Sequence, residues 1–140
     1  MPVPDSSTAA VTVAQKRILV VDDDIIISMN TAALLEELGY EAVEANSGAE
    51  ALERLRSDPE FDLLLTDQAM PGMRGSALIA EARKLRPEIQ VLMATGYDDA
   101  PDERTSEILR LAKPFGLPEL EAAVEALLAA DRSLDETDLG

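Results

Sequence analysis

Four short apolar runs in this chain each stop at a polar residue of the kind that does chemistry. Ile18-Leu19-Val20-Val21 stops at Asp22-Asp23-Asp24, and the run from Phe61 to Thr66 stops at Asp67. Val91-Leu92-Met93-Ala94 stops at Thr95-Gly96, and the run from Ile108 to Ala112 stops at Lys113-Pro114. In an open parallel α/β sheet the ligand crevice lies outside the carboxyl ends of the strands. If the four runs are parallel strands, carboxylates, a hydroxyl and an ammonium converge on one spot. That grouping can hold a divalent metal and a phosphoryl group.

The segments between the runs read as helices with short connections. Ile25 to Leu38 has apolar residues at helical spacing and stops at Gly39, a residue suited to ending a helix. Tyr40 to Ala45 alternates and reads as a further strand. Ser47-Gly48-Ala49-Glu50 is a capping box that opens a helix to about Arg56. Met70-Pro71-Gly72-Met73 is a loop, Ser76 to Leu85 a helix, and Ile89 to Ala94 the body of the fourth strand. Gly96 to Ser106 is polar and holds Pro101, so any helix there is short. Pro118 suits a first helical turn, and Glu119 to Ala130 is a helix rich in Ala, Leu and Glu. A βα unit repeated five times gives a doubly wound, five-stranded parallel sheet with helices on both faces. Residues 1–15 read as a flexible arm, 16–130 as the folded domain and 131–140 as a flexible acidic tail.

Composition removes several classes of function. The 140 residues suit one domain of ordinary size. No cysteine is present, which excludes a disulfide framework and a zinc–thiolate site. No histidine is present either, so there is no imidazole base, no Ser-His-Asp triad and no histidine metal ligand. The chain can accept a phosphoryl group from a phosphohistidine but cannot donate one from its own. A formal net charge of -16 and a pI near 4.1 argue against binding nucleic acid or an anionic membrane. The apolar runs are too short to cross a bilayer, and Met1 to Ala14 lacks the pattern of a signal peptide. The default expectation is a cytoplasmic protein.

The strand ends carry the chemistry. Carboxylates crowded at one site repel, and a hard divalent cation relieves that repulsion by taking oxygen ligands. Asp22, Asp23 and Asp67 form a candidate Mg2+ site completed by waters and a backbone carbonyl. Asp24 is better placed as the cap of the helix that starts near Ile25. A carboxylate held beside Mg2+ can attack phosphorus in line, which gives Asp67 the role of nucleophile. Lys113 can place a point charge on a phosphoryl oxygen, and the Thr95 hydroxyl can donate to another.

Taken together these segments resemble the receiver domain of two-component response regulators. The match rests on Ile18 to Asp24, on Leu63 through Asp67 to Met73, on Ala94-Thr95-Gly96 and on Lys113-Pro114-Phe115, and it covers residues 16–130. The resemblance implies a flavodoxin-like (βα)5 fold and a phosphorelay signalling role, with Asp67 as phosphoacceptor. It implies Mg2+ held by Asp22, Asp23, Asp67 and the backbone carbonyl of Ala69. Thr95 would be the switch hydroxyl, Lys113 the phosphate-sensing lysine, and the peptide before Pro114 cis. The donor would be a histidine kinase or a histidine phosphotransfer protein, and the output a contact with a downstream protein target. On this basis the chain is not an enzyme acting on other substrates. It catalyses its own phosphorylation and slow dephosphorylation.

Three features depart from the family pattern. Arg110 stands where receivers carry Phe or Tyr, three positions before the lysine. The span from Thr95 to Lys113 is short. Thr95 is followed by Gly96-Tyr97, as in a receiver subgroup with an Ala-Thr-Gly-Tyr sequence, which makes Tyr97 the candidate replacement for the absent aromatic switch. Two other readings use the same residues. One is a phosphorylation-independent pseudo-receiver that only binds partners. The other is a haloacid-dehalogenase-type phosphatase with Asp22 as nucleophile, which leaves Asp67 and Met70-Pro71-Gly72 unexplained. The chain is read either as a single-domain protein or as a piece of a hybrid kinase.

Overall fold

Alternate side chains of a strand point to opposite faces of its sheet, and here both faces are apolar. The computed structural model describes residues 15–58, 60–96 and 108–139, with side chains through residue 129. Its strands are β1 (Arg17–Val21), β2 (Glu41–Ala45), β3 (Leu63–Asp67), β4 (Gln90–Thr95) and β5 (Leu109–Ala112). Among the described residues the helices are α1 (Ile25–Glu37), α2 (Gly48–Ser57), α3 (Gly75–Leu85) and α4 (Leu117–Leu139). Ile18, Val20, Leu63, Leu65, Leu92 and Ala94 face one layer, where Leu35 of α1 and Leu120 and Val124 of α4 cover them. Leu19, Val21, Leu64, Val91 and Met93 face the other, against Leu52 and Leu55 of α2 and Leu78 and Ala82 of α3. A strand buried on both sides must read as a continuous apolar run, which is why the runs of β1, β3 and β4 stood out; edge strand β5 exposes Leu109 and carries half-buried Arg110. Each fully buried Leu or Ile in those three runs contributes about 1.5–3 kcal/mol.

The strands run in the order β2-β1-β3-β4-β5, and every pairing is parallel. This is the doubly wound, flavodoxin-like sheet expected from the sequence. From β1 the chain passes through α1 to β2 on one side, then through α2 to β3 on the other. The strand order therefore reverses between β1 and β3, and a crevice opens at their carboxyl ends. Asp22 and Asp67 sit at those two ends.

Element boundaries follow local chemistry. Asp24 caps α1, its Oδ1 accepting from the Ile26 and Ile27 amides at 2.9 and 3.3 Å. Gly39, at φ +101°, takes the left-handed turn that ends the helix. Ser47 caps α2 by accepting from the Glu50 amide at 3.0 Å. The Glu50 carboxylate reaches back one residue further than a capping box requires, to the Asn46 amide at 2.8 Å. The last helix runs to Leu139 rather than stopping near Ala130. No Gly or Pro interrupts the sequence between Glu119 and Leu139, so nothing breaks the backbone pattern there. Apart from Gly96, the segment from Gly96 to Ser106, where any helix was expected to be short, lies outside the described residues, as does most of the N-terminal arm.

Candidate functional site

The crevice gathers side chains from three strand ends. Lys113, just past β5, places its Nζ 2.9 Å from Asp67 Oδ1 and 3.2 Å from Asp22 Oδ2. Both carboxylates are buried, each side chain only 6% exposed, whereas Asp23 faces solvent. One oxygen from each of Asp22, Asp23 and Asp67 lies within 4.8 Å of the others. An all-oxygen donor set of this spacing, open to solvent on the Asp23 side, fits a hard divalent cation. Asp24, by contrast, is turned away to its cap.

The electrostatics are those of a buried acid only partly compensated by a neighbouring ammonium. Burial pushes the Asp67 carboxyl above the usual carboxylate range. Lys113 opposes that shift, Asp22 adds to it and the Ala69 amide opposes it, and the net direction is upward. Burial alone would pull the Lys113 ammonium down, but its bonds to Asp67 and the charges of both acids hold it above the usual lysine value. Lys113 is therefore the charged tie between two strand ends.

The other residues singled out in the sequence occupy the same end of the sheet. Ala94 pairs in register with Asp67, so half-buried Thr95 stands one residue beyond the acid on the adjoining strand. The Thr95 carbonyl accepts from the Lys113 amide at 2.9 Å, which ties the hydroxyl-bearing strand to the lysine. The Lys113–Pro114 peptide is cis, as the resemblance implies. Arg110 is half-buried on β5 opposite Met93, two positions before the level of Thr95. Tyr97 lies outside the described residues.

Two supports of Asp67 were not singled out in the sequence. Gln68 is 2% exposed, and its Oε1 accepts from the Ser76 amide at 2.7 Å. This bond caps α3, whose formal cap residue, Arg74, makes no side-chain cap bond. The second is Gly75, whose amide donates to the Gln68 carbonyl at 3.0 Å. A Cβ on Gly75 would stand 2.4 Å from the Asp67 carbonyl oxygen, a distance no side chain tolerates. The loop after Asp67 is thus folded back on the acid's own backbone. A glycine opening a helix eight residues after an acid was the available signal.

Fold and crevice together define a doubly wound domain with an acid–lysine cluster at its switch point. A family model described as the response regulator receiver domain matches residues 18–125. This chain belongs to that family, which makes it a regulatory domain of two-component signalling. It is 37% identical over 123 residues to the response regulator receiver protein CpdR of Brucella abortus (strain 2308), covering 82% of this chain and 98% of that one. It is 40% identical over 122 residues to the transcriptional regulatory protein ZraR of Escherichia coli (strain K12), covering 84% of this chain and 27% of ZraR. The chain thus spans about a quarter of ZraR's length. Among solved structures, a response regulator receiver domain protein from Clostridium thermocellum superposes with a TM-score of 0.78. The identity is 29%, over 85% of this chain and 98% of that one.

Proposed function

We propose that Asp67 accepts a phosphoryl group from a phosphohistidine of another protein, and that the acceptance resets a protein-binding surface. The observation that carries this reading is Lys113 bridging Asp67 and Asp22 at 2.9 and 3.2 Å, with Asp23 beside them. These 140 residues hold no histidine, and the donor in this reading is the phosphohistidine of a histidine kinase or a histidine phosphotransfer protein. An Asp67 oxygen attacks phosphorus as the histidine N–P bond breaks, and the leaving imidazole is reprotonated from solvent.

Asp22, Asp23, Asp67 and the carbonyl of Ala69 are the residues that would hold Mg2+. Bound there, the cation neutralises charge on the transferring oxygens. Lys113 leaves its bond to the Asp67 carboxylate for a phosphoryl oxygen, and the Thr95 hydroxyl donates to another. Ala69 and Tyr97, the residues two beyond Asp67 and Thr95, control water's access to the acyl phosphate and so set its slow loss. The domain thereby catalyses its own modification and its reversal. Residues 16–130 are the working receiver unit.

Exposed Ile25, Ile26 and Met29 on the first turns of α1 give a donor protein an apolar landing beside the acids. A cavity of about 490 Å3, lined by Ile27, Leu34, Pro114 and Phe115 among others, adjoins Lys113 on the same side. Thr95, Arg110 and Tyr97 form the proposed switch that carries the change to a downstream protein target. The chain has two tyrosines and no tryptophan, so tyrosine emission should change when a phosphoryl mimic such as beryllofluoride is added, and a Tyr40→Phe variant should keep that change. An unaltered signal in that variant removes Tyr97 from the switch.

The direct test is incubation with a small-molecule phosphodonor, read by intact-protein mass. One added phosphoryl group with Mg2+, and none with chelator or in Asp67→Asn, is the expected result. Partner regulation that survives Asp67→Asn undiminished would instead establish a binding-only domain.

A further inference from the structure

The acid pair rests on a bracket that the phosphoryl chemistry does not itself require. Asp22 is held from both sides of its backbone. Its amide donates to the Ala45 carbonyl at 3.2 Å, and its carbonyl accepts from Asn46 Nδ2 at 2.8 Å. The second hydrogen of that amide group goes to Ser28 Oγ at 3.0 Å. Ser28 is fully buried on α1, and its hydroxyl lies 3.0 Å from both the Ile25 carbonyl and Glu44 Oε1, of which it can donate to one at a time. The Asn46 backbone is fixed in turn by the Glu50 carboxylate of the α2 cap.

One side chain therefore ties the end of β1, the second turn of α1 and the cap of α2. What it ties is the turn that carries Asp22 and Asp23. The Asp22 side chain is already committed, Oδ1 to the Asp24 amide at 2.9 Å and Oδ2 to Lys113. The direction in which Asp23 leaves the turn is set by the backbone, and Asn46 is the side chain that holds that backbone from β2.

We infer that Asn46 is a positioning residue for the cation site, fixing the Asp22–Asp23 turn through the Asp22 carbonyl, with Ser28 orienting the Asn46 amide. The inference rests on the metal reading given above. Partners that orient a metal ligand without touching the ion typically change metal affinity 10- to 100-fold when removed. Asn46 acts one bond further away, through the backbone of the ligand residue, so a loss near the low end is expected.

The experiment is calorimetric titration of the full chain with MgCl2, alongside the apo melting temperature, for wild type, Asn46→Ala, Ser28→Ala and Arg17→Ala. Arg17 lies at the opposite end of the sheet, so its variant reports general loosening. Asn46→Ala should weaken Mg2+ binding about tenfold, Ser28→Ala should weaken it in the same direction, and Arg17→Ala should leave it unchanged. Should Asn46→Ala fail to fold, Ser28→Ala carries the test against the same control. An unchanged Mg2+ affinity in Asn46→Ala, or an equal loss in Arg17→Ala, overturns the inference and leaves the metal reading standing. A wild type that binds no Mg2+ overturns both.

Discussion

The two ends of the sheet hold charge in opposite ways. At the amino end Arg17 stacks over the Phe61 ring at 4.7 Å, bonds Asp58 and pairs with Glu41 at 3.2 Å. Its own amide donates to Asp62 Oδ2 at 2.8 Å. Arg86 donates from Nη2 to the Phe61 carbonyl at 3.1 Å, though its buried Nη1 has no partner among the described residues. Asp58 raises the Arg17 pKa, and Arg17 holds the Asp58 carboxyl below its usual range. Opposite charges there satisfy one another. At the carboxyl end two buried acids and an exposed one gather around Lys113, and Asp67 is pushed up rather than down. The two ends differ first in burial: the Asp67 side chain is 6% exposed and that of Asp58 34%, and burial is the largest cause of the upward shift at Asp67. The amino end is arranged to keep the chain folded. The carboxyl end sets two buried acids and an exposed one against a single lysine, an arrangement typical of a site that trades stability for chemistry.

That contrast can be broken or sharpened by substitution. The largest effect on stability is expected from Lys113→Ala, which leaves Asp22 and Asp67 buried without their shared counter-charge. A loss of about 3 kcal/mol in denaturant unfolding is expected, and a second change, Asp67→Asn, should restore much of it. Arg17→Ala should cost about 1–2 kcal/mol through the lost ring stacking and ion pairs, with no effect on phosphorylation. An Arg17 variant that loses phosphorylation would show that the ends are not separate.

The smallest effects come from pH and cation. An acid whose folded pKa lies above its unfolded one binds its proton more tightly when folded. Asp67 therefore makes stability fall as pH rises through the range just above the usual carboxylate value. Asp58, with its pKa lowered, contributes the reverse: stability present above the usual carboxylate value and lost as pH falls below it. Melting curves without divalent cation should show the upper fall reduced in Asp67→Asn and the lower one intact. Added Mg2+ should stabilise the wild type by about 1.4 kcal/mol at ten times its dissociation constant, and Asp67→Asn by less.

The three central strands were legible because they are buried on both faces and so read as unbroken apolar runs, while edge strand β2 was legible from its alternation. The convergence of Asp22, Asp67, Thr95 and Lys113 followed from strand direction alone, since parallel strands share one carboxyl end. What stayed hidden were supports whose partners are distant in sequence or are backbone atoms. Asn46 reads as a loop residue, yet its amide reaches Asp22 and Ser28. Gln68 reads as filler after an acid, yet it caps a helix at Ser76. Gly75 carries no side chain to announce that the Asp67 carbonyl lies where a Cβ would be. The length of α4 was underestimated because acidic residues suggested fraying, while the absence of any breaker lets the helix continue to Leu139. The strand before Lys113 begins at Leu109 rather than Ile108, whose side chain is buried against the neighbouring layer.

The central claim is that Asp67, rather than its acidic neighbours, takes the phosphoryl group. Borohydride reduction of the phosphorylated chain converts an aspartyl phosphate to homoserine, and peptide mass mapping then locates the altered residue. Homoserine at position 67 and nowhere else is the result this account requires. Homoserine at position 22 would contradict it and move the chemistry to the phosphatase-like reading.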